Sequence, residues 1–286
     1  MCGIIGYSGP KEPLPILIGG LSRLEYRGYD SAGVAILDGK KLTIEKKEGK
    51  LQVLKDHLED KKIIGNIGIG HTRWATHGIP NNINAHPHSD NQKEFAIIHN
   101  GIIENYAEMK DDLLKENYIF ESDTDTEVVA VELGNQWTGR LLETVTNVAK
   151  KLDGTYALVV TSTKEPGTIV AGRMMSPLVL GVGEGETFLA SDSAAILEHT
   201  NKMIFLENGD FVEITNGKFS LFDINMNEIS REIQEIDWKV SEAEKSGYDH
   251  FMYKEILEQA EVIERTISGR LEVGSEEIPI LSLIHI

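Results

Sequence analysis

The 286-residue sequence contains a single cysteine, which excludes an internal disulfide and favours a reducing compartment. It has no apolar run long enough to span a bilayer, and its N-terminus has neither the basic nor the apolar region of a signal peptide. Basic residues are also few, since 28 Lys and Arg stand against 46 Asp and Glu, a formal charge of −18. This excess of negative charge argues against nucleic acid or a membrane surface as a partner. We therefore expect a cytoplasmic globular protein.

Short apolar runs bounded by Gly and Asn dominate the chain from residue 2 to about residue 223. Such runs are typical of strands, and the turns between many of them are too short for a crossover helix, which favours antiparallel pairing. The segments are CGIIGY, AGVAIL, LTIEKK, NIGIGHTRW, EFAIIHN, TYALVVTS, TIVAG, PLVLGVG, TFLAS, DFVEIT and KFSLFD. Apolar spacing and capping residues predict helices over YAEMKDDLLKENY, SDTDTEVVAVELGNQW and RLLETVTNVAKKL. We expect an α+β fold in which two antiparallel sheets pack face to face and helices cover the outside.

The pattern changes after residue 235. Residues 236–249 lack strand-like alternation and predict a linker, and Met252, Ile256, Ile263 and Ile267 then form an apolar stripe at helical spacing. We interpret residues 250–280 as the first helix of a truncated second domain; the alternative is a helix that docks back on residues 1–235. The final LSLIHI is also the translation of CTGTCTCTTATACACATC, an adaptor end used in sequencing libraries, so we interpret residues 281–286 as a non-native tail.

The one cysteine stands at position 2, directly after the initiator methionine. Removal of Met1 would make Cys2 the N-terminal residue, with a thiol and a free α-amine on the same carbon. A thiol is mostly protonated near neutral pH, whereas an N-terminal amine has a pKa of about 7.7–8.0 and can serve as its base. Cys2 is therefore a candidate nucleophile, and we expect Gly3 beside it to leave room for a substrate. The alternative is an irrelevant terminal residue.

Polar clusters follow several predicted strands or open a predicted helix: HTRWATHG (71–78), NAHPHSD (84–90), HNGIIENY (99–106) and ESDTDTE (121–127). Rigid scaffolds usually display binding groups at such places. Arg73 offers a planar fork that suits a carboxylate, and Asp125 could meet an ammonium group. Together the two charges suit an α-amino acid, although each by itself could be an ordinary surface charge.

Seven motifs stand in the order found in one known family: CGIIGY, LEYRGYDSAG, HTRWATHG, NAHPH, HNGIIENY, SDTDTE and DGTYAL. Over residues 1–235 the chain resembles the glutaminase domain of the glutamine:fructose-6-phosphate aminotransferases, a branch of the class II (type 2) glutamine amidotransferases. The resemblance implies the four-layer sandwich of the N-terminal-nucleophile hydrolases and the hydrolysis of glutamine to glutamate and ammonia. In the whole enzymes, which form homodimers, the ammonia converts fructose 6-phosphate to glucosamine 6-phosphate for amino-sugar synthesis. Residues 250–280 would then open the sugar-isomerase domain, through which alone fructose 6-phosphate would bind.

The resemblance also implies roles for the reacting groups. Cys2 matches the nucleophile, released by removal of Met1. The side chain of Asn100 and the backbone N–H of Gly101 match the oxyanion hole. Arg27 matches a residue that supports the nucleophile from behind.

Further matches imply how glutamine is bound. Arg73 corresponds to the clamp on the α-carboxylate, and Asp125 to the partner of the α-ammonium. Thr76 and His77 lie in the same glutamine-binding stretch, and Trp74 matches a residue that gates the passage of ammonia.

Three other interpretations remain open at this point. The chain could be the glutaminase domain of a different class II enzyme, such as the purine-pathway or asparagine-forming amidotransferase, or a non-catalytic glutamine-binding module. His86 and His88 could belong to a metal site, but no well-spaced Cys or carboxylate ligands accompany them. We expect neither a metal nor a cofactor.

Overall fold

A computed structural model describes residues 2–75 and 78–236 and, further along, the helical residues 252–253, 255–257 and 259–260. The chain divides into two compact units, residues 1–237 and residues 238–286. Apart from Ile236, the predicted linker lies outside the described residues, as do the predicted tail and most of the predicted C-terminal helix. None of the described helices is long and apolar enough to cross a membrane.

Residues 2–75 and 78–236 contain fifteen strands and five α-helices. The strands are β1 (Gly3–Ser8), β2 (Ser31–Asp38), β3 (Lys41–Glu48), β4 (Ile67–Arg73), β5 (His88–Ser89), β6 (Phe95–Ile103), β7 (Gly154–Ser162), β8 (Thr168–Met174), β9 (Val179–Val182), β10 (Thr187–Ala190), β11 (Lys202–Phe205), β12 (Phe211–Thr215), β13 (Lys218–Phe222), β14 (Glu228–Ile229) and β15 (Gln234–Glu235). The helices are α1 (Pro13–Leu24), α2 (Leu51–Leu58), α3 (Tyr106–Lys115), α4 (Asp125–Asn135) and α5 (Leu141–Ala149).

Two sheets contain all of these strands. The first has the order β15-β11-β9-β10-β1-β4-β2-β3 and the second β14-β13-β12-β8-β7-β6-β5. Every neighbouring pair in both sheets is antiparallel. The strand that follows Cys2, β1, therefore lies inside the first sheet, where Ile5 pairs with Ala190 of β10 and with Gly70 of β4.

A continuous apolar core joins the facing sides of the two sheets. In it, Ile4 of β1 belongs to the same buried cluster as Ile98 of β6 and Val159 of β7. Side chains alternate along a strand, so Ile5 points to the opposite side of the first sheet, where a Cβ on Gly20 of α1 would lie 2.8 Å from its Cδ1. A second cluster packs α4 and α5 on the outer side of the second sheet. The order helix, sheet, sheet, helix confirms the predicted α+β class.

The strand segments and the three helices expected from the sequence all appear, but α1 and α2 were not predicted. The segment of α1 carries the pair Gly19–Gly20, which disfavours a helix by propensity. Tertiary packing reverses that preference, because the missing side chain at Gly20 lets the helix approach Ile5 closely. In α2, the buried residues Leu51, Leu54 and Leu58 span only eight residues, too short a run for a clear helical period.

Candidate active site

Cys2 lies immediately before β1, at the end of a strand inside the first sheet. The register pairs Gly3 with Thr72, so Cys2 comes next to Arg73 at the end of β4. The carbonyl oxygen of Cys2 accepts a hydrogen bond from Asn100 Nδ2 at 2.9 Å, and Asn100 belongs to β6 of the second sheet. The two sheets therefore contribute adjacent residues to one site.

Gly101 follows Asn100 on β6 and has φ +133, a backbone conformation that residues with a Cβ rarely adopt. A Cβ at this position would lie 2.0 Å from the carbonyl oxygen of Thr155 and 2.9 Å from His99 Nε2. Only glycine fits here. The strand thus presents Asn100 and Gly101 side by side at the wall of a cavity that Cys2 also lines.

Two buried residues of opposite charge line the same cavity. Arg73 ends β4 and donates from Nη2 to the carbonyl of Gly78 at 3.4 Å. Asp125 is the first residue of α4, and its Oδ2 accepts the Ile103 N–H at 2.9 Å. Because strand and helix termini hold these groups, their separation is fixed before any ligand binds.

The start of α4 is capped in a way that the sequence predicts only in part. Thr124 is the N-cap, and its Oγ1 accepts the Glu127 N–H at 3.3 Å, as the spacing of the two residues predicts. The Glu127 carboxylate, however, accepts the N–H groups of Glu121 and Ser122 rather than that of the N-cap. Glu127 thereby ties the preceding loop to the helix that carries Asp125.

The cavity has a volume of about 350 Å³, within the range of small-molecule sites. Its lining includes Cys2, Arg73, Trp74, Asn100, Gly101 and Asp125. The indole of Trp74 is 48% exposed, and Tyr29 meets it edge to face with ring centroids 5.7 Å apart. The site is therefore a small pocket with charged and amide groups inside and an exposed aromatic pair beside it.

Burial dominates the titration of the cysteine. It raises the pKa of the Cys2 thiol, although the Trp74 N–H and the charge of Arg73 act in the opposite direction. Burial likewise lowers the pKa of Arg73, and the charges of Cys2, Asp30 and Asp125 oppose that shift. The thiol in this pocket needs a base before it can act as a nucleophile.

Three histidines form a buried layer behind Asn100. The His71 and His86 rings lie 4.2 Å apart between centroids, and those of His86 and His88 lie 4.8 Å apart. His88 Nε2 lies 3.0 Å from Thr124 Oγ1. Burial lowers the pKa of His71 to about 3 and holds the pKa values of His86 and His88 well below their usual range. These imidazoles are neutral at physiological pH, and among the described residues no group of three or more His, Cys, Asp or Glu is arranged to hold a metal ion.

The structure leaves two predicted residues untested and corrects the reason given for a third. Thr76 and His77 lie outside the described residues. The expectation that Gly3 makes room for a substrate was wrong, since a Cβ there would meet Thr72 Oγ1 at 2.6 Å and Leu24 Cβ at 2.7 Å. Gly3 is needed for packing inside the fold. Arg27 lines the cavity and forms an ion pair with Asp192.

Two charged residues that the sequence did not single out hold the loops around the cavity. Asp30 Oδ2 accepts the Ala75 N–H at 2.7 Å, directly after Trp74. Lys46 Nζ donates to three carbonyl oxygens at 2.7–3.2 Å, those of Ile83, Ala85 and Pro87. Asp30 stands within the motif LEYRGYDSAG, whereas nothing in the pattern of β3 marks Lys46.

A family model described as a glutamine amidotransferase domain matches residues 55–250, more than half of the chain. The chain belongs to the glutamine amidotransferase family. Its relatives include glutamine–fructose-6-phosphate aminotransferase [isomerizing] from Clostridium tetani, with 48% identity over 276 residues, which is 96% of this chain and 45% of that protein. The enzyme of the same name from Aquifex aeolicus is 48% identical over 271 residues, 95% of this chain and 46% of that protein. The predicted resemblance to this branch is confirmed, and the amidotransferase chain spans about half the length of these relatives.

The fold has a counterpart among solved structures. Glutamine phosphoribosylpyrophosphate (PRPP) amidotransferase from B. subtilis, complexed with ADP and GMP, superposes with a TM-score of 0.70 at 28% identity. The match covers 79% of this chain and 50% of that one. The amidotransferase chain therefore shares its sandwich of two sheets with an enzyme named for PRPP.

Proposed function

We propose that residues 2–236 form a glutaminase that hydrolyses glutamine to glutamate and ammonia. One observation carries the proposal: Cys2, Arg73, Asn100, Gly101 and Asp125, from separate stretches of the chain, line one cavity of about 350 Å³. Arg73 and Asp125 bind the α-carboxylate and α-ammonium, and the side-chain carboxamide of glutamine extends to Cys2. A planar guanidinium and a fixed carboxylate suit the two charges of an α-amino acid.

The reaction passes through a thioester. With Met1 removed, the α-amine of Cys2 takes the thiol proton, and Sγ attacks the amide carbon of glutamine. The C–N bond breaks, the amine returns the proton to the leaving nitrogen, and ammonia departs. Water then adds to the γ-glutamyl thioester, releasing glutamate and restoring the thiol. Asn100 Nδ2 and the Gly101 N–H stabilise the negative charge on the amide oxygen in both steps.

The acceptor of the ammonia is the finer part of the proposal. The relatives that match at 48% identity are named for fructose 6-phosphate, whereas the structure named for PRPP matches at 28%. We propose that the whole protein passes the ammonia to fructose 6-phosphate, with Trp74 at the exit of the pocket. A reactive thiol at the nucleophile position also suits a reducing compartment such as the cytoplasm.

The test compares the 286-residue chain with a chain extended to the length of its relatives. Both should release ammonia from glutamine, and only the extended chain should form glucosamine 6-phosphate when fructose 6-phosphate is added. Glutamine that binds without ammonia release would instead indicate a non-catalytic glutamine-binding module. Ammonia release from the extended chain without any aminated sugar would indicate a different acceptor.

A further inference from the structure

His71 is completely buried, and its Nε2 faces two oxygen atoms and one ring nitrogen, His86 Nδ1 at 3.3 Å. His71 Nε2 lies 2.9 Å from Asn100 Oδ1 and 3.1 Å from the carbonyl oxygen of His99. A carbonyl oxygen can only accept a hydrogen bond, so the contact with His99 requires a proton on His71 Nε2. Because burial keeps this imidazole neutral, the ring carries that proton alone, and Nδ1 is bare. A proton on His71 Nε2 requires His86 Nδ1 to be the bare, accepting nitrogen of its own ring.

The other ring nitrogen agrees with this assignment. Among the described residues, His71 Nδ1 is buried and has no hydrogen-bond partner. An N–H group at Nδ1 would be buried without an acceptor, which costs about 1–3 kcal/mol. The opposite tautomer would therefore bury an N–H without an acceptor at Nδ1 and turn a lone pair toward two oxygens at Nε2. The ring has only one acceptable protonation state.

This tautomer decides which way the Asn100 amide points. If the amide were turned over, its NH₂ group would face the His71 Nε2–H, donor against donor, and its oxygen would face the Cys2 carbonyl, acceptor against acceptor. In the observed orientation Asn100 Oδ1 accepts from His71, and Nδ2 donates one hydrogen to the Cys2 carbonyl at 2.9 Å. An amide nitrogen carries two hydrogens, so the second is available to the cavity that Asn100 lines.

We propose that His71 is a positioning residue, whose Nε2–H holds the Asn100 side chain with its amide nitrogen turned toward the reacting carbonyl. The inference rests on the proposed function, in which Asn100 stabilises the oxyanion. An oxyanion donor is effective only when it is oriented before the charge forms. His71 touches neither glutamine nor Cys2 in this scheme and acts solely through Asn100.

Side-chain geometry offers a matched pair of variants. The amide nitrogen of Gln lies as many bonds from Cβ as the Nε2 of His, and the amide nitrogen of Asn as many as Nδ1. His71→Gln therefore retains the donor, whereas His71→Asn and His71→Leu remove it. We expect kcat of His71→Gln to stay within about threefold of the parent, and kcat of the other two to fall about 10–100-fold with KM changed less than about threefold. Equal losses in His71→Gln and His71→Asn would overturn the proposal.

A double-mutant cycle separates positioning from a general structural effect. In an Asn100→Ala background, His71→Asn should lower kcat no further, because the group it positions is gone. A further loss of the same size as in the parent would overturn the proposal. His199→Leu serves as a control, since His199 packs against Phe188 on the first sheet, away from the cavity, and its kcat should match the parent.

A measurement on the unmodified protein tests the proposal even if the variants do not fold. Nitrogen-15 NMR of the histidine rings should show His71 protonated at Nε2 and bare at Nδ1 from mildly acidic to mildly alkaline pH. A proton at Nδ1 would overturn the inference whatever the variants do. If the protein released no ammonia, the proposed function would fail, and the NMR result would still decide the hydrogen bond to Asn100.

Discussion

The backbone N–H of Trp74 donates a hydrogen bond to Cys2 Sγ over 3.1 Å. A donor at this distance favours the thiolate, because hydrogen bonding to the charged form stabilises it. Burial of Cys2 has the larger effect and raises the pKa of its thiol. The hydrogen bond therefore orients Sγ without ionising it, and a base must take the thiol proton before Sγ can act as a nucleophile.

The first prediction concerns the α-amine of Cys2 as the base that takes this proton. Cys2→Ala should fold normally, as judged by its urea unfolding midpoint, and should release no ammonia from glutamine. A chain with one additional residue before Cys2 keeps the thiol but loses its free α-amine, and should lose at least about 100-fold in kcat. The control is the same extension removed by a protease, which should restore the rate. An extended chain with full activity would rule out the amine as the base.

The second prediction concerns the binding of glutamine by Arg73. Arg73→Lys keeps the positive charge but loses the planar fork, so the KM for glutamine should rise at least about tenfold while kcat falls less. Steady-state ammonia release measures both parameters. Arg23→Lys is the matched control, because Arg23 pairs with Glu198 at the surface. An unchanged KM in Arg73→Lys would remove Arg73 from the binding site.

The third prediction compares two glycines with positive φ. Gly139 has φ +102 and open space for 4 Å around the place that a Cβ would take, whereas a Cβ at Gly101 would lie 2.0 Å from the Thr155 oxygen. Gly139→Ala should cost about 1–2 kcal/mol of backbone strain and leave ammonia release unchanged. Gly101→Ala should cost more and abolish turnover, because β6 must shift away from Thr155. Urea unfolding measures the first effect and the ammonia assay the second, and an active Gly101→Ala would contradict the claim that only glycine fits beside Thr155.

The fourth prediction follows from the buried histidine layer. The pKa values of His71, His86 and His88 are lowered by burial, so the unfolded chain binds more protons once the pH falls toward about 6.5. Stability should therefore decrease on acidification, by at most about 1.4 kcal/mol per pH unit for each histidine.

Urea unfolding between about pH 7.5 and pH 5.5 measures this slope above the range in which carboxylates titrate. His71→Gln, which cannot titrate, should show a shallower slope than the parent. A stability that stays level across this range would mean that the layer is charged or exposed in the folded protein.

Much of the fold could be predicted because its strands are short, apolar and punctuated by Gly and Asn. The strand β11 (Lys202–Phe205) was not predicted because its burial pattern does not alternate, and only its pairing with β9 and β15 defines it as a strand. The helix α1 escaped for a different reason: its glycine pair looks unfavourable until Ile5 is seen against Gly20. Long-range packing, which no local pattern records, decides both cases.

For the candidate site, the sequence predicted the reacting and binding residues but not the residue that positions one of them. Motif resemblance named Cys2, Arg73, Asn100 and Asp125, and the structure brings all four to one cavity. It could not reveal His71 as more than one of several clustered histidines, because its partner Asn100 lies on the other sheet. A residue that positions another can be recognised only from its contacts in the folded structure, whereas a reacting residue can be recognised in the sequence from its residue type.

The place of β1 inside the first sheet has a consequence for how the protein is made. The Ile4 N–H binds Ser191 Oγ across 187 positions of sequence, and β1 pairs with β10 at Ala190. Cys2 is synthesised long before β10, yet one flank of β1 stays unpaired until β10 has been made. Contacts of such separation form slowly, and domains fold as units during synthesis. A nascent chain that ends before β10 should hold an unformed pocket, so the proposed nucleophile should become active only once nearly the whole sandwich exists.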